Sequence, residues 1–256
     1  MINIFQSIGA PLVNVLNFIG KIAIFFVCAI FKLFTWPVYL RVMLTQIISI
    51  GFYSIPVVSM TAIFSGAVLA LQSYNGFARF SAESSIPTVV ALSMTRELAP
   101  VLAALMVAAR VGSSISAEIG TMKVTEQIDA LYTLSTDPIK YLVTPRIIAA
   151  IISLPILVFI ADVIGILGGY IVSIYKLGFN SGAYIDNTFK YLEAFDIQTG
   201  LIKALFFGII ISTVSCFYGF AADRGARGVG VATNNSVVIS SILILISNYI
   251  ITQLLI

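Results

Sequence analysis

The sequence predicts an all-α polytopic membrane protein: an N-terminal interfacial helix, five transmembrane helices, and a short helix in the polar loop between spans 2 and 3. Three observations carry this prediction. Hydrophobic residues fill 59% of the 256 positions and charged residues only 10%, with a mean hydropathy of +1.06. Soluble domains run near about 45–50% apolar and roughly 25% charged, so an ordinary globular domain is excluded. The apolar runs are continuous and about twice as long as the roughly ten-residue alternating segments of a membrane barrel, which leaves helices as the spanning structure. The polar residues gather in short stretches between those runs.

Charge and composition exclude several functions. The formal net charge of +3 is spread thinly, without a basic cluster, so nucleic acid is not an expected partner. Histidine is absent and the two cysteines, Cys28 and Cys216, lie far apart in apolar surroundings. That removes the usual zinc and general-base chemistry. The start, MINIFQSIGAPL, lacks a basic n-region, so a cleaved signal peptide is not expected.

Residues 1–40 form the interfacial region. Lys21 and Lys32 bracket only ten apolar residues, against about twenty needed to span. Asn14, Asn17, Lys21 and Lys32 recur on one side of a helix, which fits a helix lying in the interface with its lysines reaching the headgroups. A tilted first span is the rival reading. Trp36, Pro37 and Tyr39 suit the interfacial belt and a turn into the bilayer.

The five spans occupy residues 41–256. The first, about 47–71, lies in an uncharged run from Val42 to Ala78; Pro56 is a candidate kink, and Gly66 offers a close helix contact. The second, 88–109, carries Arg96 and Glu97 ahead of Pro100. Charges at that depth must face protein or a water-filled cavity. They read equally as an ion pair holding the bundle together or as a polar patch beside a substrate cavity. The third, 147–175, is interrupted only by Asp162 and has a small-residue face in GILGG at 165–169. The fourth is 201–222, with Lys203 near its outer end, and the fifth is 237–255. Polar connectors are expected at 75–87, 176–200 and 222–235.

The loop at 110–146 is the most polar long stretch in the chain. It holds Arg110, Lys123, Lys140, Arg146, Glu118, Glu126, Asp129 and Asp137. Thr125 is placed to cap a helix with Glu126 in its first turn and Ile128, Leu131 and Leu134 at helical spacing. Those three apolar residues either pack the helix onto its own protein or form a docking face for a cytoplasmic partner; both can hold. Nine basic residues flank the spans on the side of this loop and five on the other. The richer side is expected to be cytoplasmic, which places the N-terminus inside and the C-terminus outside.

No G-x-x-x-x-G-K-[S/T] phosphate loop occurs, so the chain is not expected to bind ATP itself. Gly225, Gly228 and Gly230 lack the lysine and strand–helix context of such a loop and read as a tight turn. No nucleophile elbow or metal cluster appears, and an enzyme is not expected.

AEIGTMKVTEQIDAL (117–131) and DPIKYLVTPR (137–146) resemble the signature of the MlaE/YrbE permease family, the membrane subunits of ABC-type lipid transporters that work with mammalian-cell-entry (MCE) domain proteins. The resemblance extends through ALSMTRELAPVLAALMVAARVGSSISAE (91–118) and across nearly the whole chain. It implies a homodimer in the inner membrane, a cytoplasmic ABC ATPase that binds the ATP, an extracytoplasmic MCE protein and a phospholipid or related substrate, with no cofactor in this chain. It further implies that the helix near Glu126 is a coupling helix, with Glu118, Lys123, Glu126 and Asp129 making polar contacts to the ATPase while Ile128 and Leu131 pack. Arg96 and Glu97 would face the lipid cavity. The alternatives are a non-transporting scaffold, a permease for another hydrophobic solute, or an ion channel, which would want more intramembrane polarity.

Overall fold

The computed structural model describes residues 2–33 and 39–255. The expected belt residues Trp36 and Pro37 lie outside them. The described residues are helical throughout, joined by short turns. Helix α1, Ile2–Leu33, precedes α2, Leu40–Ile50, and α3, Ile55–Phe77. Helices α4, Ile86–Ser93, α5, Ala99–Val107, and α6, Ser113–Val124, run on through π-helical segments at Met94–Leu98 and Ala108–Gly112. Next come the short α7, Gln127–Thr133, a third π segment at Ile139–Val143, and α8, Thr144–Tyr175. Helix α9, Ser181–Tyr191, leads to α10, Ala194–Ala221, and α11, Ala226–Leu255.

Among the described residues, five helical segments are long and apolar enough to cross a membrane: Leu40–Phe80, Glu83–Val124, Ile139–Tyr175, Ala194–Ala221 and Ala226–Leu255. The protein is a multi-pass membrane protein. Helix α1 is not among those segments. It lies against the end of the bundle that carries α7, where Ala29 is fully buried and Phe25 meets Phe217 and Phe220.

Several boundaries differ from the sequence reading, each for a physical reason. The first span breaks at Gly51 and a 3-10 turn, Phe52–Ser54, so Pro56 sits in the first turn of α3, where its missing N–H costs nothing, and does not kink a continuous helix. The polar stretch expected as a loop from 110 is helical to Val124, because α6 buries Ile115, Ser116, Ile119 and Gly120 against α10 and α11. Helix α11 starts at Ala226 rather than near Val237, carrying Thr233, Asn234 and Asn235 within it. Of the glycines before it, Gly225 makes the turn with φ +86°, and a Cβ at Gly228 would strike the Asp223 carbonyl oxygen at 2.3 Å. Gly230 faces open space.

The core is a seam of small residues. Val58, Ala62, Gly66 and Ala70 on α3 meet Ala161, Gly165 and Gly168 on α8. A Cβ on Gly66 would fall 1.8 Å from the Gly165 carbonyl oxygen, so the backbones touch there. Close approach of this kind is what packs helices where lipid removes the hydrophobic drive.

The connector between α8 and α10 is also structured. Asn180 caps α9 through its side chain, which accepts from the Ala183 N–H at 3.2 Å. The Asn187 side chain donates to the Ser84 carbonyl at 3.3 Å, and Thr88 donates to the Asn187 carbonyl at 3.3 Å.

Candidate functional site

Two regions carry the polar chemistry. The first is a charge layer in the half of the bundle away from α7. Arg96 and Glu97 lie within the π segment Met94–Leu98. Single π turns inside α-helices recur at functional sites because they re-aim side chains. Here two successive residues reach different partners. Arg96 Nε donates to Asp196 Oδ1 at 2.5 Å, and its Nη2 lies 2.5 Å from the same oxygen. The second Asp196 oxygen accepts the Glu193 N–H at 2.9 Å, closing a capping box at the start of α10.

Glu97 is held from two helices. Lys203 Nζ donates to Glu97 Oε1 at 2.7 Å and to the Arg96 carbonyl at 2.8 Å. From α11, Thr252 Oγ1 donates to the same oxygen at 3.0 Å and Asn248 Nδ2 to Oε2 at 2.9 Å. Lys203 is 0% exposed and lies about 14 Å into α10 from Ala194 at 1.5 Å per residue. Two cations and two carboxylates make the layer neutral, which is how a bilayer tolerates charge. Arg96 and Glu97 therefore pair with α10 and α11, not with each other. Both stay partly open, at 43% and 40% side-chain exposure.

The second region is the end that carries α7. Glu118, on α6, binds Arg146 Nη2 at 2.9 Å, and Arg146, itself buried, also donates to the Leu142 carbonyl at 2.7 Å. Lys123 donates to the Phe220 carbonyl at the end of α10, 2.7 Å away. Lys32 on α1 pairs with Asp137, whose Oδ1 also accepts the Ile139 N–H at 3.0 Å. Thus Glu118 and Lys123 are engaged within the chain. Glu126 and Asp129 are exposed, and among the described residues their carboxylates have no hydrogen-bond or ion-pair partner. Ile128 is buried and Leu131 packs against the core, whereas Tyr132 and Leu134 are exposed at 61% and 73%.

The local backbone departs from the predicted cap. Thr125 ends α6, its hydroxyl donating back to the Thr121 carbonyl at 2.9 Å, and it does not start α7. Glu126 takes the N-cap position in the left-handed region, φ +60°, without a side-chain cap bond. Ser135 just beyond α7 is left-handed too, at φ +56°. A non-glycine residue pays for that region in steric strain, and here two of them bracket one short helix.

The profile of the family described as Permease MlaE matches residues 43–254. The chain belongs to the MlaE permease family. It is 62% identical to a probable ABC transporter permease protein of Rickettsia bellii over 254 residues, 99% of this chain and 98% of that one. A probable ABC transporter permease protein of Synechocystis is 42% identical across 83% of this chain and 81% of its own length. The intermembrane phospholipid transport system permease protein MlaE of Haemophilus influenzae is 32% identical across 100% of this chain and 98% of its own. As an MlaE permease the chain is a non-catalytic membrane subunit.

Sequence reading of this permease singled out Arg96 and Glu97 but missed Asp196, Lys203, Asn248 and Thr252. A signal was present. Asp196 and Lys203 stand two helical turns apart on one face of α10, and Asn248 and Thr252 stand one turn apart near the end of α11.

Proposed function

We propose that this chain is the permease subunit of an ABC transporter that moves phospholipid or a related lipid between the inner membrane and an extracytoplasmic MCE protein, driven by a separate ATPase. The observation that carries the reading is the neutral charge layer inside an otherwise apolar bundle. A lipid needs apolar walls for its chains and a few polar groups for its head. Glu97 has both oxygens occupied, so Arg96, whose Nη1 is not needed for the Asp196 pair, is the group offered to a phosphate. The chain is proposed to lie in the inner membrane with its N-terminus and α7 cytoplasmic and its C-terminus periplasmic, following the bias of basic residues.

Helix α7 is the proposed coupling element. Exposed Glu126 and Asp129 would meet the ATPase, Tyr132 and Leu134 would add apolar contact, and Ile128 and Leu131 would anchor the helix to the bundle. Glu118 and Lys123 would contribute by tying α6 to α8 and α10, so that movement of α7 reaches the spans. Two copies are proposed to pair at the transporter centre, consistent with the largely uncovered apolar surface of α11, where Val238, Leu245 and Tyr249 are exposed.

The test is reconstitution with the candidate ATPase and MCE partner, following labelled phospholipid between membrane and acceptor with and without ATP. ATP-dependent transfer that is lost in Glu126→Lys, with the complex still folded, is the expected result. No transfer from a complete, ATP-hydrolysing complex would replace this reading with a scaffold or another solute.

A further inference from the structure

A second cavity, separate from the charge layer, lies between α8, α9 and the start of α10. It encloses about 510 Å³, within the roughly 300–1,000 Å³ of small-molecule sites. Phe159 and Leu167 on α8 and Phe189 on α9 line it and are also well exposed, so its mouth opens on the apolar surface of the bundle. Thr95 contributes to its inner wall, whereas Arg96 and Glu97 do not line it.

Asp162 is the feature that needs explaining. It lines this cavity, is 3% exposed, and both its carboxylate oxygens lack a hydrogen-bond partner. It sits about 20 Å below the Tyr175 end of α8 at 1.5 Å per residue. A polar group left unpaired at that depth is costly. The wall hydroxyls do not relieve it. Thr95 donates to the Ala91 carbonyl at 3.0 Å, Thr188 to the Tyr184 carbonyl at 2.9 Å, and Tyr170 shares a 2.6 Å bond with Ser181. Tyr184, on α9 outside the spans, is buried, which pushes its phenol up, and its hydroxyl, like the Asp162 oxygens, has no hydrogen-bond partner, so it does not reach Asp162 either.

We infer that this cavity binds a single-chain amphipath drawn from the bilayer, whose head supplies the hydrogen-bond donor that Asp162 lacks. The volume suits one aliphatic chain lying along the apolar wall, and the exposed rim gives it a lateral entrance. A hydroxyl head would donate one hydrogen bond to Asp162; an ammonium head would add a charge. This goes beyond the transport reading, since it requires neither ATP nor a partner protein.

The test uses the full chain in nanodiscs with three photoreactive probes of equal chain length: a diazirine dodecanol, a diazirine dodecylamine and the matching diazirine dodecane. Labelled peptides are mapped by mass spectrometry. The alcohol or the amine is expected to label the α8 and α9 wall about fivefold more than the alkane, the yield of one net hydrogen bond. Asp162→Leu should abolish that preference while leaving alkane labelling in place. Leu167→Trp, which keeps Asp162 and fills the mouth, should reduce labelling by all three probes. Equal labelling by all three probes in the unmodified chain would show a plain apolar groove and overturn the inference. So would a preference that survives Asp162→Leu, or labelling that Leu167→Trp leaves unchanged.

Discussion

The charge layer and the α7 end use similar residues to opposite effect. In the layer, Arg96 and Glu97 from one π segment are tied to α10 and α11, so every carboxylate oxygen there has a donor. At the other end, α7 is anchored through Ile128 and Leu131, and it turns Glu126, Asp129, Tyr132 and Leu134 outward. A buried charge left without its counter-charge is expensive, so the layer has to be closed by its own protein. An exposed charge costs little, so the α7 end is free to wait for a partner. The difference predicts that substitutions in the layer act on folding and substitutions at α7 act on assembly.

The largest effect should come from Lys203→Met. It removes the cation paired with Glu97 and, among the described residues, leaves that carboxylate to Asn248 and Thr252. Breaking such a pair costs roughly 3 kcal/mol, the lower end for buried pairs, because Glu97 is 40% exposed. Thermal unfolding in detergent should fall accordingly, and adding Glu97→Gln should recover much of the loss. A Lys203→Met protein as stable as the parent would mean that the layer is not a structural lock.

Next is Ile128→Ala. Loss of a buried isoleucine costs about 2 kcal/mol or more, but α7 has little else to hold it. The cost should therefore appear as local opening: amides of Gln127–Thr133 lose hydrogen-exchange protection while α8 and α10 keep theirs. Equal loss in all three helices would show that α7 is part of the core.

Much of this was legible beforehand, and the reasons for the gaps are specific. Long apolar runs declare spans because backbone in lipid has to satisfy itself, and Gly66 and GILGG were readable as a close seam. Arg96 and Glu97 stood out as charges in a span. Their partners did not, since pairing across about a hundred residues is a tertiary fact that no local pattern encodes. Helix α6 read as loop because its polar side chains are paired to Phe220 and Arg146 from elsewhere in the chain. The left-handed turn at Glu126 was invisible because such turns are signalled by Gly or Asn, and neither is there.

That turn gives the third prediction. Glu126→Gly removes both the carboxylate and the steric strain, and should raise stability by about 1 kcal/mol. Paired with Glu126→Lys, it separates two roles for one residue. If the charge meets the ATPase, both variants lose coupled transfer. If the backbone shape is what the ATPase reads, Glu126→Lys keeps transfer while Glu126→Gly, with a freer turn, weakens it.

The smallest effect on stability should come from Leu134→Ser, and it is the sharpest probe of the contrast. Leu134 is 73% exposed and lies at the end of α7, so its replacement should change unfolding by no more than about 0.5 kcal/mol. Such a residue contributes little to the isolated chain, yet a large apolar side chain held in water gains free energy when a partner covers it. Co-purification with the ATPase should therefore fall several-fold while the unfolding temperature hardly moves. The opposite pattern, intact assembly with a lowered unfolding temperature, would place Leu134 in the fold and remove it from the docking face.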